Sequence, residues 1–314
     1  MVVEYTYRMS ETTLLRRAQL NSLDFATISQ VSEARKAAAE PTLSFEFFPP
    51  KDEAGEANLW SAFQKLLEVS PDYVSVTYGA GGSNSERSLA VVDRMAGQVL
   101  TIGHLTCVGA TKQSTLEILQ HMERAGVGAI LALRGDPPKD KPDALGKGEL
   151  KTALELVDLV HKSTKLEVGV AAFPEVHPES PNMEHDSKVL ALKQAAGASF
   201  TVTQLFFSVQ AYKDLVASAK AAGATLPIVP GVMPISNAKQ VVRMAELSGA
   251  AIPPELIAKF DAAVDEDEAR EIGMAYSTQL ARDLVAAGAP GVHIFTLNHH
   301  AAAIELARGA GLCR

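Results

Sequence analysis

The sequence predicts an α/β fold, a (β/α)8 TIM barrel, and three observations predict it. From residue 43 onward eight short apolar runs recur, most of them rich in Val, Ile, Phe and Thr. Longer segments with helical periodicity lie between them. Several of those segments end on a glycine just before the next apolar run, in "RAGVGA", "AAGASF", "AAGATL" and "AAGAPG". Nearly continuous apolar runs are expected of strands covered on both faces. Glycine in that place suits the left-handed residue that ends a helix. Helix stops that feed strands make βα units and a parallel sheet. Eight units over roughly 270 residues suit a barrel. A doubly wound open sheet is the competing fold, with fewer strands and often a glycine-rich loop after the first; here the first strand runs into Pro49-Pro50.

The expected strands are 43–48, 73–78, 100–107, 129–135, 166–173, 200–207, 227–234 and 291–297. Helical patterns between them include 114–126 and 150–162. Two segments stand outside the repeat. Residues 1–40 are polar and Ala-rich and read as an N-terminal helical extension, either packed on the outside of the barrel or forming an arm; the barrel itself is expected over 41–314. Between strands seven and eight, residues 236–288 are long enough for two or three extra helices, and their acidic run reads as a solvated helix face.

Composition narrows the function. The 314 residues carry a formal charge of −8 and are 47% hydrophobic. An acidic chain argues against nucleic-acid binding, which depends on Lys and Arg neutralising phosphates. Two cysteines, Cys107 and Cys313, are too few for a disulfide framework or a cysteine metal site. The opening "MVVEYTYRMS" has no secretory pattern, and no apolar run reaches the roughly 18 residues of a membrane span. The expectation is a cytoplasmic protein with small-molecule partners, neither nucleic acid nor membrane, and compatible with a homo-oligomer.

In such a barrel the active site forms where the strands end. Polar residues gather there: Glu46 on strand one, Thr77 on strand two, His104 on strand three, Arg134 and Asp136 at the end of strand four, and Gln204 on strand six. Glu175 and His177 follow strand five; Asn298, His299 and His300 follow strand eight. Alternation along a strand sets Ser44, Glu46 and Phe48 opposite Phe45 and Phe47. If the Phe45/Phe47 face meets the helices, Glu46 faces the lumen near its mouth. Burial disfavours the charged form of a carboxyl group, which suits a general acid; a structural Glu paired with Arg or Lys is the alternative. Arg134–Gly135–Asp136 can present a carboxylate and backbone N–H groups to a ligand, or form an ordinary loop ion pair. "TYGAGGS" (77–83) can hold an anion on backbone N–H groups or be a tight turn, and it does not fit the dinucleotide pattern. His104 and His177 lack metal-ligand spacing, so no metal is expected.

"SFEFFPP", "VSVTYGAGGS", "HLTC", "LRGDPP", "PEVHPES", "TQLFF" and "PGVMPIS" occur in that order. With these motifs the chain resembles the catalytic barrel of the methylenetetrahydrofolate reductase family over about residues 42–312. The resemblance implies the single-domain bacterial type, reducing 5,10-methylenetetrahydrofolate to 5-methyltetrahydrofolate by ping-pong transfer from NADH or NADPH through FAD, as a step of methionine biosynthesis. It implies NADH as the reductant of choice for members of this type. It assigns Glu46 as general acid and Asp136 as a second catalytic carboxylate near flavin and folate. Gln204, Gln240 and His299 match substrate-side positions, and Thr77, His104, Arg134, Gly135, Asp136, His177, Asp186 and Lys193 match FAD-contacting ones. Departures fall at Phe173, where relatives often carry Tyr, at Val189 and Leu192, which replace an Asn and an Arg, and at His299, which replaces an Arg; the 139–150 loop also lacks a common aromatic. The same reaction without tightly held flavin, the hydride passing directly, and a catalytically silent folate-binding relative are the alternatives.

Overall fold

The computed structural model describes residues 21–78, 85–136 and 147–313. Strands β1 (Thr42–Phe47), β2 (Tyr73–Val76), β3 (Thr101–Thr106), β4 (Ala129–Leu133), β5 (Glu167–Ala172), β6 (Phe200–Thr203), β7 (Ile228–Val229), β8 (Gly231–Val232) and β9 (Gly291–Phe295) form one sheet. Its order is β7-β6-β5-β4-β3-β2-β1-β9-β8, and every pairing is parallel. β7 and β8 are two halves of one barrel strand, so the sheet closes on itself. The expected continuous run 227–234 is broken at Pro230, which has no N–H to give the ladder. The lower half pairs with β6 and the upper half with β9. β6 likewise ends at Thr203, short of the expected 207, because beyond that point its strand-seven neighbour has turned to β9.

Helices cover the outside: α1 (Ile28–Ala37), α2 (Glu53–Leu67), α3 (Ser85–Ala96), α4 (Lys112–Arg124), α5 (Ala153–Ser163), α6 (Met183–Ala195), α7 (Val209–Ala221), α8 (Ala238–Ser248), α9 (Pro254–Ala262), α10 (Glu266–Ala286) and α11 (His300–Gly309). Many start on a short polar side chain that accepts the N3 backbone N–H, as Thr27, Asp52, Thr111, Thr152, Asn182, Ser208, Asn237 and Asp265 do. The glycine stops read from sequence, Gly126, Gly197, Gly223 and Gly288, all have positive φ. Among the described residues no helix is long and apolar enough to cross a membrane.

Strand alternation sorts the core into layers. Phe45 and Phe47 face outward into the main cluster with Leu59, Phe63 and Leu66 of α2, Phe47 meeting Phe63 edge-on at 5.7 Å. The lumen holds a separate cluster, Tyr73, Ile102, Leu131, Phe200 and Val202, and Ile28 and Val31 of α1 belong to it. α1 therefore plugs the lower end of the barrel instead of lying on its outer wall. Two polar contacts fasten it there. Glu167, at the foot of β5, accepts the backbone N–H and hydroxyl of Ser29 in the first turn of α1. Arg35, 2% exposed, binds Asp72 at 2.7 Å and Glu40 at 2.9 Å. α8 and α9 are the extra helices before the last strand, and they bury a third cluster, with Leu256 and Phe260 against Leu205, Met233 and Phe295 beside the mouth.

Candidate active site at the barrel mouth

Glu46 is 7% exposed, and the register places it beside Ser75 of β2 and Phe295 of β9. Its Oε2 lies 3.7 Å from His104 Nε2 on β3 and 3.6 Å from His293 Nε2 on β9. His293 is fixed from behind, with Nδ1 2.8 Å from Ser44 Oγ and Nε2 3.3 Å from Ser75 Oγ. Burial pushes His104 down to about 4 against the opposing pull of the Glu46 carboxyl, so its ring is neutral near pH 7. His104 Nε2 is fully buried and has no hydrogen-bond partner among the described residues. One carboxyl group thus sits between two imidazoles at the upper end of a closed lumen. His293 was not foreseen from sequence. It lies mid-strand in "GVHIFTL", and only inward alternation registered against Ser44 could have singled it out.

A second group forms beyond β4 and β5. Glu179 grips the Arg134 guanidinium through two hydrogen bonds, one of 3.0 Å, and Asp136 Oδ1 lies 3.6 Å from its Nη2. The Glu179 contact, before any other, raises the Arg134 pKa and lowers that of Glu179. Asp136 itself is almost fully exposed. Gly135 between them has φ +77°, and a Cβ there would lie 2.8 Å from Thr106 Cβ, so the backbone passes closely over β3. Asp186 accepts the His177 backbone N–H at 2.8 Å and the Ser180 hydroxyl, His177 Nδ1 accepts the Glu179 N–H at 3.1 Å, and the His177 ring meets Phe173 edge-on at 4.6 Å. Val176 in this loop has φ +72°, an uncommon conformation for a β-branched residue. Glu175 accepts the Ala251 N–H at 2.9 Å, tying the loop to the α8–α9 connection, and burial raises its pKa.

Lys193 of α6 has its pKa lowered, mostly by desolvation, with Asp186 pulling the other way. It makes no ion pair within 4 Å among the described residues, so a mostly desolvated cation is available to an anion. Val189 and Leu192 lie on the same helix, four residues and one residue before it, and Leu192 is more than half exposed.

The remaining expected residues are nearby but not joined to Glu46 by hydrogen bonds. Thr77 donates its N–H to Phe47 O and is half-buried. Gln204 accepts the Leu205 N–H at 2.8 Å and shares a small cleft with the Phe173–Val176 loop. Gln240 accepts the Ser236 N–H at 2.7 Å and donates to Pro234 O, bracing the turn after β8. His299 is exposed at the start of α11. The glycine-rich run 79–83 and most of 139–150 lie outside the described residues.

The family profile described as Methylenetetrahydrofolate reductase matches residues 31–311. The chain is 34% identical over 288 residues to methylenetetrahydrofolate reductase (NADH) 1 of Arabidopsis thaliana, covering 87% of this chain and 49% of that protein. It is 33% identical over 261 residues to the 5,10-methylenetetrahydrofolate reductase of Pectobacterium carotovorum, covering 82% and 85%, and 33% identical over 259 residues to that of Escherichia coli K12, covering 82% and 86%. The chain thus spans about half the length of its plant relatives and most of the bacterial ones. A solved structure of an uncharacterised Clostridium thermocellum protein, described as binding two copies of 5-methyl-5,6,7,8-tetrahydrofolic acid, superposes with a TM-score of 0.61 at 15% identity, over 89% of this chain and 96% of that one. That likeness is one of fold.

Proposed function

Because the chain belongs to the methylenetetrahydrofolate reductase family, we propose that it reduces 5,10-methylenetetrahydrofolate to 5-methyltetrahydrofolate with a nicotinamide nucleotide, NADH or NADPH, as reductant. The observation that carries this reading is Glu46, enclosed at the lumen mouth between His104 and His293. An acid so placed can give its proton to the folate nitrogen that leaves when the five-membered ring opens. The carbon–nitrogen bond breaks, the nitrogen takes the proton, and the methylene carbon remains as an iminium on the other nitrogen, ready for hydride. Asp136, exposed at the end of β4, supplies negative charge to that cation. Gln204, Gln240 and His299 bind the folate from the loops after β6, β8 and β9.

The residues present fit FAD. Lys193 is a desolvated cation with no ion-pair partner among the described residues, Arg134 like Lys193 lies near Cys107, and the bare backbone at Gly135 permits close approach. Thr77, His104, His177 and Asp186 would hold the rest. Bound FAD would carry the hydride from nicotinamide to folate in two half-reactions at one site, which is ping-pong kinetics.

A second reading keeps the reaction and drops the resident flavin, with the hydride passing directly from nicotinamide. Apolar Val189 and exposed Leu192 beside Lys193, and Glu179 already holding Arg134, favour it. Purified protein decides both points. Oxidation of NADH or NADPH that requires methylenetetrahydrofolate is expected, and its absence with and without added FAD would overturn the reaction. A flavin spectrum retained through gel filtration supports the first reading, and a colourless active protein the second.

A further inference from the structure

We propose that Asn298 is the positioning residue that holds Glu46 at its working place, an inference that rests on the reading of Glu46 as the acid. No side-chain hydrogen bond within 3.5 Å fixes the Glu46 carboxyl among the described residues; its nearest polar neighbours are the two imidazoles at 3.6 and 3.7 Å. Its place must therefore be set by its main chain. That main chain is close to its end: β1 stops at Phe47, and Pro49 and Pro50 have no N–H with which to continue the ladder.

Asn298 supplies the missing ladder. Its Oδ1 accepts the Phe48 N–H at 3.0 Å and its Nδ2 donates to Phe48 O at 2.9 Å, two bonds of opposite sense from one carboxamide. One residue pair earlier, the Thr296 hydroxyl donates to Glu46 O at 2.7 Å and accepts the Asn298 N–H at 3.0 Å. Asn58 of α2 donates to Asn298 O at 2.9 Å and holds the clamp from outside. Both main-chain groups flanking Glu46 on its C-terminal side are thus tied to the segment that follows β9.

The backbone of that segment is shaped for the task. Leu297 and Asn298 have φ of 50° and 60°, two consecutive non-glycine residues in the left-handed region. Asn tolerates that region and Leu does so poorly. Such strain persists only where the surroundings over-determine it. The strained turn points the carboxamide back at Phe48, and it carries His299 as the next residue. The acid and a candidate folate-side residue therefore share one rigid connection.

Two substitutions separate side chain from backbone. Asn298→Gly keeps the left-handed conformation and deletes the fork. Asn298→Asp keeps the shape and turns the donor into an acceptor facing Phe48 O. Folate reduction should fall about 100-fold in each folded variant, the cost expected of a displacement near 1 Å at a reacting group, with the loss in kcat rather than KM. In a Glu46→Gln background neither substitution should reduce activity further, because the residue it positions is already gone. Full activity in both single variants, losses that multiply in the Glu46→Gln background, or failure of both variants to fold would each overturn the proposal. Absence of turnover in the unsubstituted protein would instead overturn the reading of the reaction.

Discussion

The two ends of the barrel treat charge in opposite ways. At the closed end Arg35, Asp72 and Glu40 pair within 3 Å, and Glu167 is engaged by Ser29 and Ser199. At the mouth, among the described residues, Glu46 has no side-chain hydrogen bond, His104 Nε2 has no hydrogen-bond partner and Lys193 has no ion pair within 4 Å, while Asp136 faces solvent. The buried pairs at one end fasten the fold, whereas the pair at the mouth, Arg134 with Glu179, is partly exposed and stands beside groups without such partners. Cavity size is no guide to which is which, since the large cavity of about 880 Å³ lies at the closed end, lined by Ser29, Lys36, Ser199, Lys220 and Pro290.

The contrast can be broken first at Glu46. Glu46→Gln should lower folate reduction by ~10²–10⁴, the usual range for loss of general acid–base help, while its melting temperature stays near that of the parent and folate still binds. Equal loss in nicotinamide oxidation by an artificial acceptor would make Glu46 structural. The converse substitution is Arg35→Met at the closed end. It removes the buried guanidinium from Asp72 and Glu40, so urea unfolding should show a loss of about 3–5 kcal/mol with kcat of the folded fraction intact.

His104 sharpens the comparison through pH. Its folded pKa of about 4 lies below the unfolded value of 6.5, so the unfolded chain binds the extra proton between those values. Stability is therefore complete above pH 6.5 and falls as pH drops towards 4, by roughly 3 kcal/mol at most. Urea titrations of the parent and His104→Gln across that window should differ by this slope; parallel curves would mean that the ring is not buried neutral. The smallest effect is expected at Glu179→Gln. The pair with Arg134 is largely exposed, so stability should change by less than ~1 kcal/mol, while freeing Arg134 should tighten binding of added FAD. Unchanged or weaker binding would mean that Glu179 orients Arg134 instead of competing for it.

Much of this was legible along the chain because it is local. Apolar runs, Asn/Asp/Ser/Thr helix starts and glycine stops depend on neighbours a few residues away, and they placed eight strands in order. The break at Pro230 was written in the sequence as well, although its effect, two half-strands serving different neighbours, depends on β6 and β9. Alternation alone set Glu46 opposite Phe45 and Phe47.

What only the tertiary structure decided depends on residues far apart in sequence. His293 stands beside Glu46 through a parallel register linking residues 249 positions apart, and neither local pattern nor motif signals that pairing. α1 plugs the barrel floor because Ile28 and Val31 find lumen side chains from β2, β3, β4 and β6, a surface that does not exist until the sheet closes. Asn298 reaches Phe48 only because the first and last strands are neighbours in the closed barrel. Sequence determined which residues could line the mouth; closure of the sheet decided which of them hold one another there.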